Sequence, residues 1–286
     1  MKHLPEHQKG IIAVLAAALL WSTGGILVKL VSLTPMQISF SRCFFASFVF
    51  LILFRKKLLL VNSFTFLNAF FYAALLTLYV FATKMTTAAN AIFLQYTAPI
   101  YVLLLEPVLN KTKYEKINII TISVCFVGMI LFFTGKLSPG DLKGNILALL
   151  SGAAFAAFLL GMRKNDHKYQ YSSIFYGNVI VVLILLPSMF GLKSISLPDF
   201  SMLAFLGIFQ IGVAYAIFSY GLKRVYAVEA SLLSMIEPVL NPVWVLIWYG
   251  EIPSFYAAIG GAIILLAIAA RTIISGSPSL RARFKS

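Results

Sequence analysis

Apolar runs of about 20 residues recur along the whole of this 286-residue chain, separated by short polar breaks. In helical form, about 20 mostly apolar residues are what the hydrocarbon core of a bilayer requires. The pattern predicts helices at 10–31, 35–54, 63–83, 87–105, 114–134, 144–162, 172–190, 200–220, 225–249 and 254–274, numbered here as spans 1 to 10. Barrel strands are excluded, since they would run about half as long with alternating polarity. The expected fold is an all-α integral membrane protein with ten transmembrane helices.

Composition puts the burial in lipid. Hydrophobic residues make up 60% of the chain and charged ones 11%, against about 25% charged in soluble domains. A net charge of +14 raises nucleic-acid binding as an alternative, because basic chains attract phosphate. The distribution of charge argues otherwise. With the N-terminus inside, the inner segments hold 17 of the 23 Lys and Arg residues, five lie outside (Lys29, Lys84, Lys136, Lys143 and Lys193), and Arg42 sits within a span. This asymmetry predicts a multi-pass protein of the cytoplasmic membrane with both termini cytoplasmic. Cations spread over every inner loop do not form a nucleic-acid patch.

Lys9 followed by an apolar run and Ala16, Ala17 and Ala18 resembles a secretory signal. The run continues to Val31, and cleavage would leave the basic C-terminus outside, so it reads as an uncleaved first span. Cys43 and Cys125 lie in spans without CxxC spacing, so neither a disulfide nor a zinc site is expected.

The chain also matches itself. At a displacement of 134, Lys9 and Gly10 align with Lys143 and Gly144, Ile12 with Ile146, Leu15 with Leu149, and Trp21 with Phe155. At 139, Lys84 aligns with Lys223, Ala88 with Ala227, Ala91 with Ala230, Leu94 with Leu233, and Pro99 with Pro238. Five spans per half is an odd number, so the second half must enter from the opposite side, giving two inverted five-helix repeats. The expected organisation is a cytoplasmic segment 1–9, a first repeat 10–134, an outer loop 135–143, a second repeat 144–274 and a basic cytoplasmic tail 275–286.

Proline removes an N–H and crowds the carbonyl four residues back. Pro99 thus frees the carbonyl of Gln95, and Pro238 that of Ser234, at matched depth in spans 4 and 9. Pro242 is expected to break span 9 again one turn later. Freed carbonyls in a membrane need a partner or a wet cavity, so the matched breaks point to a site between the halves. Ser234, Glu237, Asn241, Trp244 and Trp248 follow at steps of 3 and 4, on one helical face. A charge at the bilayer centre costs about 2.5 to 3.5 kcal/mol, so Glu237 is expected to face the bundle interior, as a packing, proton-coupling or cation-contacting group. Arg42 keeps its charge and is expected to pair or to snorkel. Trp21, Ser22 and Thr23, followed by Gly24 and Gly25, mark a close helix approach. Tyr79, Asn90, Tyr96, Asn178, Gln210, Tyr215 and Glu229 complete the interior polar set.

Together, LLWSTGG around Trp21, Arg42 early in span 2, Pro99 within QYTAPIYVLL, Glu237-Pro238 closed by Gly250-Glu251, and Gly128 and Gly260 resemble the drug/metabolite transporter superfamily, specifically its ten-span members with two EamA-type domains. The chain departs from that pattern at Lys111-Thr112, where the second half has Gly250-Glu251. The resemblance implies proton-coupled or gradient-driven export or exchange of small solutes such as amino acids. Nucleotide, purine or organic-cation transport are alternatives, as is a pore-forming channel. No enzyme, cofactor or metal is expected: His3, His7 and His167 all lie outside the spans, and no HExxH occurs. Spans 1, 3, 4, 6, 8 and 9 are expected to line a cavity, and the candidate cavity residues are Trp21, Ser22, Tyr79, Asn90, Gln95, Tyr96, Tyr215, Ser234, Glu237, Asn241 and Trp244. The expected partners are a small-molecule solute, membrane lipid, and protons or a counter-solute. Assembly as a monomer or a homodimer is expected.

Overall fold

The computed structural model describes residues 5–110, 114–134, 141–192, 194–249 and 254–276; for 110, 241, 242, 245, 246, 248, 249, 275 and 276 the description is of the backbone alone. Lys111, Thr112, Gly250 and Glu251 thus lie outside the described residues, as does most of the outer loop.

Among the described residues every regular element is helical. The first half runs through α1 (Glu6–Trp21), α2 (Gly24–Leu30), α3 (Pro35–Phe54), α4 (Ser63–Met85), α5 (Ala88–Gln95), α6 (Ala98–Asn110) and α7 (Lys116–Phe132). The second runs through α8 (Leu142–Lys164), α9 (Gln170–Leu185), α10 (Leu197–Phe205), α11 (Ala214–Leu222), α12 (Ala227–Ser234), α13 (Ile236–Tyr249) and α14 (Phe255–Gly276). Eight described stretches are long and apolar enough to cross a membrane. The shorter α7 is also apolar, and the α12–α13 stretch is divided at Met235. Helix starts follow local chemistry: Thr34 with Gln37, and Asn62 with Thr65, form reciprocal caps, and Asp141 accepts the Lys143 and Gly144 N–H groups.

Four departures from uniform spans shape the interior. The first span is interrupted at Ser22 and Thr23, whose hydroxyls donate to the Leu19 and Leu20 carbonyls and so compete with the helical ladder. The two proline breaks fall where the freed carbonyls are, since α5 ends at Gln95 and α12 at Ser234. Pro242 does not break its span. The backbone of α13 runs through it to Tyr249, since in a membrane bundle neighbouring groups and local helix adjustment can satisfy the carbonyl that a proline deserts. In the eighth span, residues Leu206–Val213 between α10 and α11 are π-helical, a widened turn common at functional sites.

The packing maps onto itself when the halves are exchanged. α1 lies against α11 and α12, while its counterpart α8 lies against α4 and α5. α3 packs on α9 and α7 on α14, each pairing equivalent elements. Lipid offers no hydrophobic drive between helices, so close van der Waals approach must hold them. At the α7–α14 crossing a Cβ on Gly260 would lie 2.4 Å from the Gly128 carbonyl oxygen, and only glycine fits.

Candidate functional site

The ends of α1, α5 and α12 converge in the middle of the bundle. Trp21 closes α1, Tyr96 follows α5, and the Ser234 carbonyl terminates α12. The Tyr96 hydroxyl lies 2.7 Å from that carbonyl and 2.6 Å from Glu237 Oε2. The carbonyl that Pro238 cannot satisfy is thereby bonded from the other half of the chain. At the matched break in α5, the Gln95 carbonyl packs on Gly152, where a Cβ would stand 2.6 Å away.

These ends enclose a cavity of about 30 Å³, with room for roughly two water molecules. Its polar lining comes from Arg42, Gln95, Gln210 and Glu237, and its aromatic walls from Trp21, Tyr79, Tyr96, Phe155 and Tyr215. Leu75 and Leu76 complete it. Trp21 sits with ring centroids 4.8 Å from Tyr215, 4.9 Å from Phe218 and 6.2 Å from Phe155. Phe155 is its own repeat partner at the 134-residue displacement.

Arg42 neither snorkels nor forms an ion pair among the described residues. It is 2% exposed, and its Nη2 donates to Gln210 Oε1 at 2.7 Å. The widened helical turn around Leu206–Val213 presents this glutamine, whose amide also reaches the Trp21 carbonyl at 3.5 Å. Arg42 Nε and Trp21 Nε1 are buried without a protein partner among the described residues. Such donors are rare unless a ligand or water meets them. Glu237, 8% exposed, faces the same space, so one small cavity holds a guanidinium, a carboxyl and four aromatic rings with polar atoms.

Other anticipated residues lie around this centre or away from it. Ser22 accepts the Trp244 Nε1 donor at 2.8 Å, just behind Trp21. Asn90 is remote, near the start of α5, where its amide donates to Thr86 Oγ1 and Asn145 Oδ1 at 3.2 and 3.1 Å. Pro99 and Pro238 sit in the first turns of α6 and α13. The side chains of Asn241, Pro242 and Trp248 fall outside those described.

Polar ties outside this centre join helices at the two ends. Near the α2 end, Lys29 Nζ donates to the Thr86 carbonyl (2.9 Å) and Lys84 Nζ to that of Val31 (2.6 Å). At the opposite end Glu229, 1% exposed, accepts Arg271 Nη1 and lies 2.9 Å from His7 Nε2. Arg271 also donates to Asn118 Oδ1 from Nε and Nη2, joining α7, α12 and α14 to the first helix. Its place near the tail puts Arg271 among the 17 inner basic residues, yet it is 4% exposed inside the bundle. Periodicity alone gives no signal for that location.

Comparison with known proteins agrees with this architecture. The model of the EamA-like transporter family matches the chain twice, at residues 8–134 and 142–272. An uncharacterized transporter of Archaeoglobus fulgidus is 28% identical over 271 residues, covering 91% of this chain and 94% of its own length. One from Clostridium kluyveri is 25% identical, with 91% of each chain covered. A crystal structure superimposes with a TM-score of 0.78 at 16% identity, over 93% of this chain and 98% of its own, and so shares the fold. With both halves matched and the helices packed as two related sets, this multi-pass membrane protein belongs to the EamA-like transporter family.

Proposed function

We propose that the protein is a secondary transporter of small zwitterionic metabolites, amino acids or related amphipathic solutes, moving them by export or exchange across the cytoplasmic membrane with both termini inside. The observation that carries this reading is that Arg42 and Glu237 line one aromatic-walled cavity. A zwitterion brings a carboxylate and an ammonium. The carboxylate suits the unpartnered Nε of Arg42 and Nε1 of Trp21, because charge-assisted bonds to a fork of donors are strong and directional. The ammonium suits Glu237 and the faces of Tyr79, Tyr96 and Tyr215, which attract cations through their ring quadrupoles.

At about 30 Å³ the cavity is too small for such a solute as it stands, so loading requires the bundle to open. The polar ties lie at the two ends: Lys29 and Lys84 near α2, and Glu229 with Arg271 and His7 at the other. Releasing one set while the other holds gives access from one side at a time, and two related halves make the states near mirror images. Glu237 would carry a coupling proton or yield to a counter-solute.

Solute counterflow in proteoliposomes tests the reading. A preloaded amino acid should accelerate uptake of the labelled one, and Glu237→Gln should abolish the pH dependence of transport. Uptake without trans-stimulation would indicate a pore, and a Glu237→Gln protein of normal expression and unchanged pH profile would remove the coupling role.

A further inference from the structure

The basic end of the bundle carries a second concavity, separate from the central cavity. It is a groove of about 580 Å³ between α1 and α11, within the roughly 300–1,000 Å³ range of small-ligand sites. Ile12, Ala13 and Ala16 line one side and Ala216 and Ile217 the other. The small side chains make it concave. Elsewhere along the same pair of helices Gly10 and Gly221 allow close approach, since a Cβ on Gly221 would lie 2.9 Å from the Gly10 carbonyl oxygen. Ile12 is 53% exposed, so the groove opens sideways, toward the hydrocarbon of the bilayer.

Its rim is cationic. Lys9, Tyr171 and Tyr220 border it, Lys223 Nζ lies 4.4 Å and Lys57 Nζ 5.9 Å from the Tyr171 ring centre, and the Arg224 guanidinium covers Tyr220 at 3.6 Å. Glu6 engages Lys9 at 2.6 Å and Arg224 at 2.7 Å. Asp166 is taken by Lys168 at 3.3 Å. Among the described residues neither Lys57 nor Lys223 forms an ion pair with a carboxylate, although both lie within 6 Å of one ring centre. Burial first, and then the charges of Lys57 and Arg224, hold the Lys223 ammonium below its ordinary value, with Asp166 opposing them only in part. An anion at this rim would relieve that crowding.

We propose that this groove is a binding site for an anionic phospholipid, with one acyl chain along the α1–α11 groove and the phosphate at the rim that Lys57 and Lys223 supply. Basic pockets beside membrane helices hold anionic headgroups in this manner, and tyrosines such as Tyr171 and Tyr220 favour the headgroup level. A soluble anion would meet the rim but leave the apolar groove unfilled. A second copy of the chain docked by the same face would bring its own cations to this rim, an unfavourable like-charge contact.

The test is thermal unfolding of the purified full-length protein in an uncharged detergent, titrated with phosphatidylglycerol, phosphatidylcholine or soluble glycerophosphate. Phosphatidylglycerol should raise Tm saturably, phosphatidylcholine far less and glycerophosphate not at all. Lys57→Gln with Lys223→Gln should raise the half-saturating concentration about 25-fold, about fivefold per cation removed. Lys57→Arg with Lys223→Arg should restore it, and Ala216→Leu should weaken binding by filling the groove with both cations in place. Equal stabilisation by the two lipids, an unchanged titration in the Gln pair, or glycerophosphate matching phosphatidylglycerol would overturn the site. A dimer that Ile12→Lys dissociates would assign the groove to a second copy. None of these outcomes depends on the transported solute.

Discussion

Glu106 belongs to α6, yet its carboxyl accepts the N–H groups of Ala227 at 2.9 Å and Val228 at 2.8 Å, the first two residues of α12. A helix start leaves such donors without intrahelical partners. Tyr226, at the cap position, offers no side-chain bond, so a residue 121 positions away supplies the acceptor. Both recipients are buried, Ala227 at 0% and Val228 at 4% exposure, which keeps water from replacing it. Glu106→Ala strands two donors at about 1–3 kcal/mol each, or about 2–6 kcal/mol together. At about 2 °C or more per kcal/mol for a chain of this size, Tm should fall by at least about 4 °C. The assay is unfolding of the detergent-purified protein followed by tryptophan fluorescence at one scan rate. Proline is tolerated in the first helical position and has no N–H, so Ala227→Pro removes one of the two donors. In that background the cost of Glu106→Ala should drop by about half, a coupling that a double-mutant cycle isolates. A Glu106→Ala protein within about 0.5 kcal/mol of the parent, the range of an ordinary surface change, would refute the capping argument.

The Glu229–Arg271 pair should behave as a buried ion pair. Arg271→Met alone should cost about 3–5 kcal/mol, and Arg271→Met with Glu229→Met should recover much of it; strictly additive losses in unfolding experiments would show that the two groups are not coupled. Gly260→Ala should lower Tm by several degrees, since its methyl would lie 2.4 Å from the Gly128 carbonyl, whereas Gly191→Ala, with nothing within 4 Å, should leave Tm unchanged. Equal effects at the two glycines would mean that the α7–α14 crossing relaxes freely.

The pattern of apolar length made the membrane helices legible because spanning lipid imposes one requirement on every span. The second span, predicted at 35–54, coincides with α3 (Pro35–Phe54). The proline breaks were legible for a local reason: a missing N–H identifies the carbonyl it deserts, and the helices end at Gln95 and Ser234. The same rule overreached at Pro242, where the surroundings accept the loss and the backbone continues. Arg42 shows the other limit. Its place within a span was readable and led to the expectation that it would pair or snorkel, but not that it would be buried with Gln210, 168 residues on, as its partner.

What the amino-acid order determined by itself was therefore whatever depends on neighbours along one helix or on lipid: span length, charge asymmetry, the duplicated halves and the helix ends beside prolines. What only the tertiary structure decided was which distant polar groups meet. Glu106 reaches α12, Tyr96 reaches Ser234 and Glu237, and Asn118, Arg271 and His7 gather around Glu229. In a low-dielectric interior each such group must find a partner. Sequence spacing states that demand, while the partner depends on how helices far apart in the chain cross in space.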